Sequence, residues 1–94
     1  MARRQGIQRL RLNALLTQKE FAAAMGVSVQ SVQSWESGLS IPRPAKMRQM
    51  LPVLGVTREQ LVEAVEDTQR ERAESERERQ RAVADRATRK RNDD

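Results

Sequence analysis

Between Gly26 and Gly38 the chain carries Val29, Gln30, Gln33 and Ser34, four uncharged residues on a protein in which 33% of residues are charged. Gln30 and Ser34 stand four apart, so a helix through this stretch brings them to one face. A face rich in amide and hydroxyl groups suits hydrogen bonding to base edges better than packing in a core, and the chemistry it points to is recognition rather than bond cleavage. The usual catalytic groups are missing: there is no histidine, cysteine or tyrosine, no glycine-rich phosphate loop, and no carboxylate cluster before residue 66. No enzymatic activity, cofactor or metal site is expected.

The residues on either side supply what is needed to position such a face. Thr17 with Glu20 three residues later reads as a capping box, opening a helix over 18–25. Phe21, Ala22 and Met25 then share one side of it. Gly26 ends that helix where the backbone must turn left-handed. Ser28 caps a second helix over 29–37, which turns Val32 and Trp35 inward and stops at Gly38. A small residue at the contact, a glycine at the turn and a polar second helix are the requirements of a helix-turn-helix.

Further helices complete the layer. One is expected from about Arg4 to Leu15, burying Ile7, Leu10 and Ala14. The segment 37–42 reads as a loop from its Gly, Ser and Pro content. A fourth helix begins near Arg43 with Pro44 in its first turn and buries Met47, Met50, Leu51 and Leu54. Pro52 is expected to kink or end it. Gly55 closes the element, and Thr57 with Glu59 opens a fifth helix through Leu61, Val62 and Val65.

With these residues in register, the sequence over 7–61 resembles the Cro/C1-type (XRE-like) helix-turn-helix family of phage repressors and bacterial regulators. The resemblance is carried by Ile7, Leu10-Arg11, Leu16-Thr17-Gln18, Phe21-Ala22, Met25-Gly26-Val27-Ser28, Val32, Trp35-Glu36-Ser37-Gly38, Ile41-Pro42, Leu54-Gly55-Val56 and Leu61. It implies an all-α, five-helix lambda-repressor-like domain that places 29–37 in the major groove of double-stranded DNA. Val29, Gln30, Gln33 and Ser34 would then contact bases, with glutamine able to pair bidentately with adenine and valine able to meet a thymine methyl. Gln18 would hold a phosphate at a helix N-terminus. Arg11, Ser31, Ser37, Ser40, Arg43 and Lys46 are the other expected phosphate contacts. Ala22, Gly26, Val32, Trp35 and Glu36 are structural, and the resemblance pairs Arg11 with Glu36.

Charge distribution agrees with this division. Residues 1–65 hold nine basic and four acidic groups, which is the whole net charge of +5, whereas 66–94 hold nine of each. The positive field therefore belongs to the part that would meet phosphates. Arg3 and Arg4 are expected to form a short basic arm. The division gives a DNA-binding domain over 1–65 and a charged extension over 66–94, helical or disordered, whose removal after Val65 should leave the domain folded. No apolar run reaches the roughly 20 residues of a membrane span, so a cytoplasmic, nucleoid-associated bacterial protein is expected.

The function these features imply is sequence-specific transcription regulation, as a repressor of phage, plasmid or other mobile-element origin, with a homodimer as the default. The alternative is an antitoxin or adaptor whose tail binds a partner protein while the helix-turn-helix autoregulates.

Overall fold

The computed structural model describes residues 6–92, with side chains described through Ala84. Among these the chain forms five helices: α1 (Ile7–Asn13), α2 (Gln18–Met25), α3 (Val29–Ser37), α4 (Pro44–Leu54) and α5 (Arg58–Asn92). The expected start of α1 at Arg4 and the Arg3–Arg4 arm lie outside the described residues.

Local chemistry sets the boundaries of the central pair. The Thr17 hydroxyl accepts from the Glu20 amide at 3.1 Å, and the Glu20 carboxylate accepts from the Thr17 amide at 3.0 Å. Both orphan donors at the start of α2 are thereby satisfied. Gly26 ends α2 at φ +66, and the Ser28 hydroxyl accepts from the Ser31 amide at 3.2 Å to start α3. The same device opens α5, where Thr57 pairs reciprocally with Gln60 rather than with Glu59. The amide of Gln60 occupies the third position, within reach of the cap, whereas Glu59 lies one residue short of it.

α2 packs on α3 and α4, and α5 lies against α1, α3 and α4. The core between them holds Ile7, Leu10, Phe21, Ala22, Met25, Val32, Trp35, Met50, Leu54, Leu61, Ala64 and Val65. Phe21 and Trp35 meet edge to face, with ring centroids 6.4 Å apart and planes at 65°, the arrangement favoured by the ring quadrupoles. Val62, on the same helix as the buried Leu61 and Val65, is 39% exposed.

The expected end of α1 at Leu15 moves back to Asn13, and of the two outcomes expected at Pro52 termination does not occur. Instead α4 continues to Leu54 and closes at Gly55. Proline cannot bond the carbonyl of Arg48, but Arg48 and Pro52 both lie on the exposed side, where water can satisfy that oxygen. The turn after α1 has an unusual backbone. Leu15 adopts φ +60 and is 89% exposed, a left-handed position filled by leucine instead of glycine.

The boundary expected after Val65 also moves. α5 runs unbroken past it, and Asp67 and Thr68 are buried. The Thr68 hydroxyl accepts from the Ile7 amide at 3.1 Å, so the first turn of α1 is capped by a residue 61 positions away. A Cβ on Gly6 would lie 2.9 Å from that hydroxyl oxygen, which explains a glycine there. Gln69 and Arg72 reach the end of α3, as described below. The packed body thus extends to about Arg72, and truncation after Val65 should cost about 2–4 kcal/mol through the lost cap and bonds. Truncation after Ala73 should leave the melting temperature within a few degrees of the full chain. Equal melting temperatures for both truncated forms would show that the contacts of Thr68, Gln69 and Arg72 carry little stability.

Beyond Arg72 the helix is a charged rod, exposed through Ala84 except at the half-buried Glu74. Along α5, Arg72 lies 3.3 Å from Glu76 and Arg70 3.3 Å from Asp67.

Candidate nucleic-acid interface

α3 turns Val32 and Trp35 into the core, which leaves Gln30, Gln33 and Ser34 on its outer side and Val29 half-buried at its first turn. Gln30, Ser31 and Ser34 line a shallow depression of ≈ 330 Å³ with Ser28, Ser40 and the edge of Trp35. Apart from the indole, every group there is an amide or a hydroxyl, and none is charged. Ser40 is held in place by its own amide, which donates to the Ser34 carbonyl at 3.2 Å.

Behind this face runs a polar relay that starts in the core. Arg11 Nε donates to Glu36 Oε2 at 2.8 Å and Nη2 to Glu36 Oε1 at 3.2 Å, while Nη1 donates to the Leu16 carbonyl at 2.8 Å. The two side chains are only 7% and 6% exposed. Gln18 Nε2 then donates to Glu36 Oε1 at 3.3 Å, and Gln33 Nε2 to Gln18 Oε1 at 3.4 Å. One line of contacts therefore links α1, the end of α3, the start of α2 and the outer face of α3. The resemblance pointed to its first pair only. The two glutamine links leave no signal in the sequence, because each joins residues on different helices.

The expected phosphate-binding residues fall into two groups. Arg43 and Ser40 are exposed, and Arg43 stands at the N-cap of α4 without a side-chain capping bond. The exposed Ser37 turns its hydroxyl back to the Ser34 carbonyl at 3.3 Å. Ser31 is half-buried, its hydroxyl 3.1 Å from that of Ser28. Arg11 and Lys46 are engaged elsewhere. Arg11 is buried with its guanidinium shared between Glu36 and Leu16, and Lys46 Nζ donates to the Met25 carbonyl at 3.1 Å and to Gln49 at 3.3 Å. A cation bonded to the last carbonyl of α2 complements the negative end of that helix. These two cations hold the helix-turn-helix together from behind.

The spacing of α2 and α3, the glycine turn between them and the uncharged outer face of α3 coincide with a helix-turn-helix family model that matches residues 7–61. The chain belongs to the Cro/C1-type helix-turn-helix family. Its five helices are the all-α lambda-repressor-like fold of this family, whose members are DNA-binding regulators rather than enzymes. No curated protein and no solved structure matches the chain. Among the described residues, no helix is long and apolar enough to cross a membrane.

The capping box at the N-terminus of α2 also carries a titration shift. The Thr17 amide, and then the Thr17 hydroxyl, hold the Glu20 carboxyl below its ordinary value of 4.5. Because the folded value is the lower one, the stabilisation is complete above about pH 4.5 and fades as pH falls through the folded value. The stability advantage of wild type over Glu20→Gln, present at neutral pH, should therefore disappear on acidification below 4.5. Urea titrations of both proteins between pH 7 and pH 3 read this directly, and an undiminished advantage at pH 3 would refute it.

Proposed function

We propose that this protein is a sequence-specific transcriptional regulator that reads double-stranded DNA with α3 in the major groove and represses by occupying its operator. The observation that carries the reading is the uncharged amide and hydroxyl face of α3, set on a helix-turn-helix whose net positive charge lies in residues 1–65. Gln30, Gln33, Ser34 and Val29 serve as the base contacts. The α2 N-terminus at Gln18, with Ser31, Ser37, Ser40 and Arg43, serves the phosphates, and Arg11 and Lys46 are reassigned to holding the fold.

A homodimer on a symmetric operator fits this reading. Leu39 and Ile41 are exposed, and a mainly apolar groove of ≈ 560 Å³, lined by Pro44, Met47, Leu51, Leu61 and Val62 with Arg48 and Arg58 at its sides, lies between α4 and α5. A cytoplasmic bacterial protein of phage, plasmid or other mobile-element origin is the setting that the family suggests.

Selection of bound duplexes from a random pool tests the proposal, and a palindromic consensus is the expected result. On that consensus, Gln30→Ala and Ser34→Ala should each lose about 1–3 kcal/mol of specific binding with little change on unrelated DNA. Arg43→Ala should weaken both. Parallel losses for all three variants would remove α3 as the reader.

The antitoxin or adaptor reading draws on the exposed stretch of α5 beyond Arg72, a surface open to a protein partner. Recovery of one host protein with the full chain but not with a chain ending at Ala73 would support it.

A further inference from the structure

We infer that Gln69 and Arg72 of α5 are positioning residues for DNA reading, which seat the C-terminal end of α3 without touching DNA. The inference rests on the proposed role of α3 as the reader. It begins with the carbonyls that a helix leaves unbonded at its end. The Ser34 carbonyl accepts from Ser40, and that of Trp35 from Gly38, both within the local turn. The carbonyls of Ser37 and Gly38, at the very end of the helix, are served from α5. Arg72 Nη1 donates to the Ser37 carbonyl at 3.3 Å, and Gln69 Nε2 to the Gly38 carbonyl at 3.0 Å.

Steric contact fixes the same joint. Gly38 takes φ +80, and a Cβ there would lie 3.1 Å from both the Thr68 carbonyl oxygen and the Arg72 Cβ. The backbone at the end of α3 is therefore pressed directly on α5, and it approaches so closely only because residue 38 has no side chain. At its other end α3 opens on its local serine cap, with Val29 packed against the core. The two donors from α5 are thus placed to decide the angle at which α3 leaves the body.

Arg72 is better suited to this role than to holding a phosphate. Its guanidinium is paired with Glu76 at 3.3 Å, in a cleft between α3 and α5 that Glu71 and Arg79 also line. Nη1 is already engaged with the Ser37 carbonyl and Nε with Glu76, so the group is committed within the protein. A cation at the end of α3 is also favourable to the helix dipole.

The test uses the full chain with Gln69→Met, Arg72→Gln and the conservative Arg72→Lys, measured on the selected duplex and on unrelated DNA across a range of salt. Substitutions that act on a binding site without contacting the ligand shift affinity by about 3- to 30-fold. Gln69→Met and Arg72→Gln should each weaken specific binding in that range, with non-specific affinity and the salt slope unchanged. Arg72→Lys should recover most of the loss. Amide exchange at Gly38 and Ser40 should quicken in the two disruptive variants.

Unchanged specific affinity in both variants overturns the inference. So does a salt slope that falls by about one for Arg72→Gln, which would mark a direct phosphate contact. Gln69→Met removes no charge and keeps side-chain length, so it remains a valid test if Arg72→Gln fails to fold. Should wild type prefer no duplex, the proposed function fails, and the exchange rates at Gly38 and Ser40 still decide whether α5 holds the end of α3.

Discussion

Arg11→Met should destabilise the protein by about 3–5 kcal/mol, the range for removing one partner of a buried ion pair. The Glu36 carboxylate would stay in its pocket, 6% exposed, with Gln18 as its remaining side-chain partner among those described. The Leu16 carbonyl would lose its donor as well. A small domain has only about 5–15 kcal/mol of total stability, so the variant should melt far below wild type. Arg11→Met combined with Glu36→Leu should recover much of that loss, because two apolar groups leave no charge without a partner. Denaturant unfolding of the single and double variants measures both. A single variant within 1 kcal/mol of wild type would mean that water reaches the carboxylate. The double variant has a second use: it should fold yet bind DNA poorly, since Gln18 and Gln33 lose the anchor of their relay.

Trp35→Ala should cost about 3–5 kcal/mol, the range for truncating a large core aromatic. The indole is 7% exposed and provides the edge-to-face partner of Phe21. Among the core residues these are the only two rings, so no neighbour can fill the space. Trp35→Phe keeps a ring against Phe21 and should cost clearly less. Trp35 is also the single tryptophan of the chain, so its fluorescence reports its own environment in wild type. Emission typical of a water-exposed indole in the folded protein would contradict this burial. Because Trp35 also lines the depression beside Gln30 and Ser34, the alanine variant should lose specific binding even at temperatures where it remains folded.

The parts of the fold that were legible in the sequence were written in local chemistry. Thr17 with Glu20, Ser28, and the glycines at 26, 38 and 55 mark helix ends by interactions within a few residues, so α2 and α3 are found at 18–25 and 29–37 as expected. Pro52 left two outcomes open, a kink or an end, and α4 passes it to Leu54. The proline's effect depends on whether the unbonded carbonyl faces water, and that is decided by packing.

The candidate site was less legible. Lys46 reads as a surface cation, yet it caps α2 through Met25 because α4 crosses there. The reach of α5 was missed for a related reason. Thr68, Gln69 and Arg72 have the composition of a solvated helix, and the atoms they bind are backbone oxygens and an amide that no side-chain pattern announces. A tail without an apolar seam can still belong to the body when its contacts are hydrogen bonds to helix ends.

The cap that Thr68 places on Ile7 also has a consequence for the order in which the protein is made. The ribosome completes α2 and α3 before any of α5 exists, and Gln69 follows its acceptor Gly38 by 31 residues. At typical elongation rates that gap takes about 2–6 s, whereas helices form in about a microsecond. For those seconds a nascent chain can hold a formed helix-turn-helix with Leu10, Phe21 and Trp35 incompletely covered, and α1 without its cap. The half of the molecule that would read DNA is synthesised first and sealed last, so translation speed across the second half sets how long the core stands open to proteases and to other nascent chains.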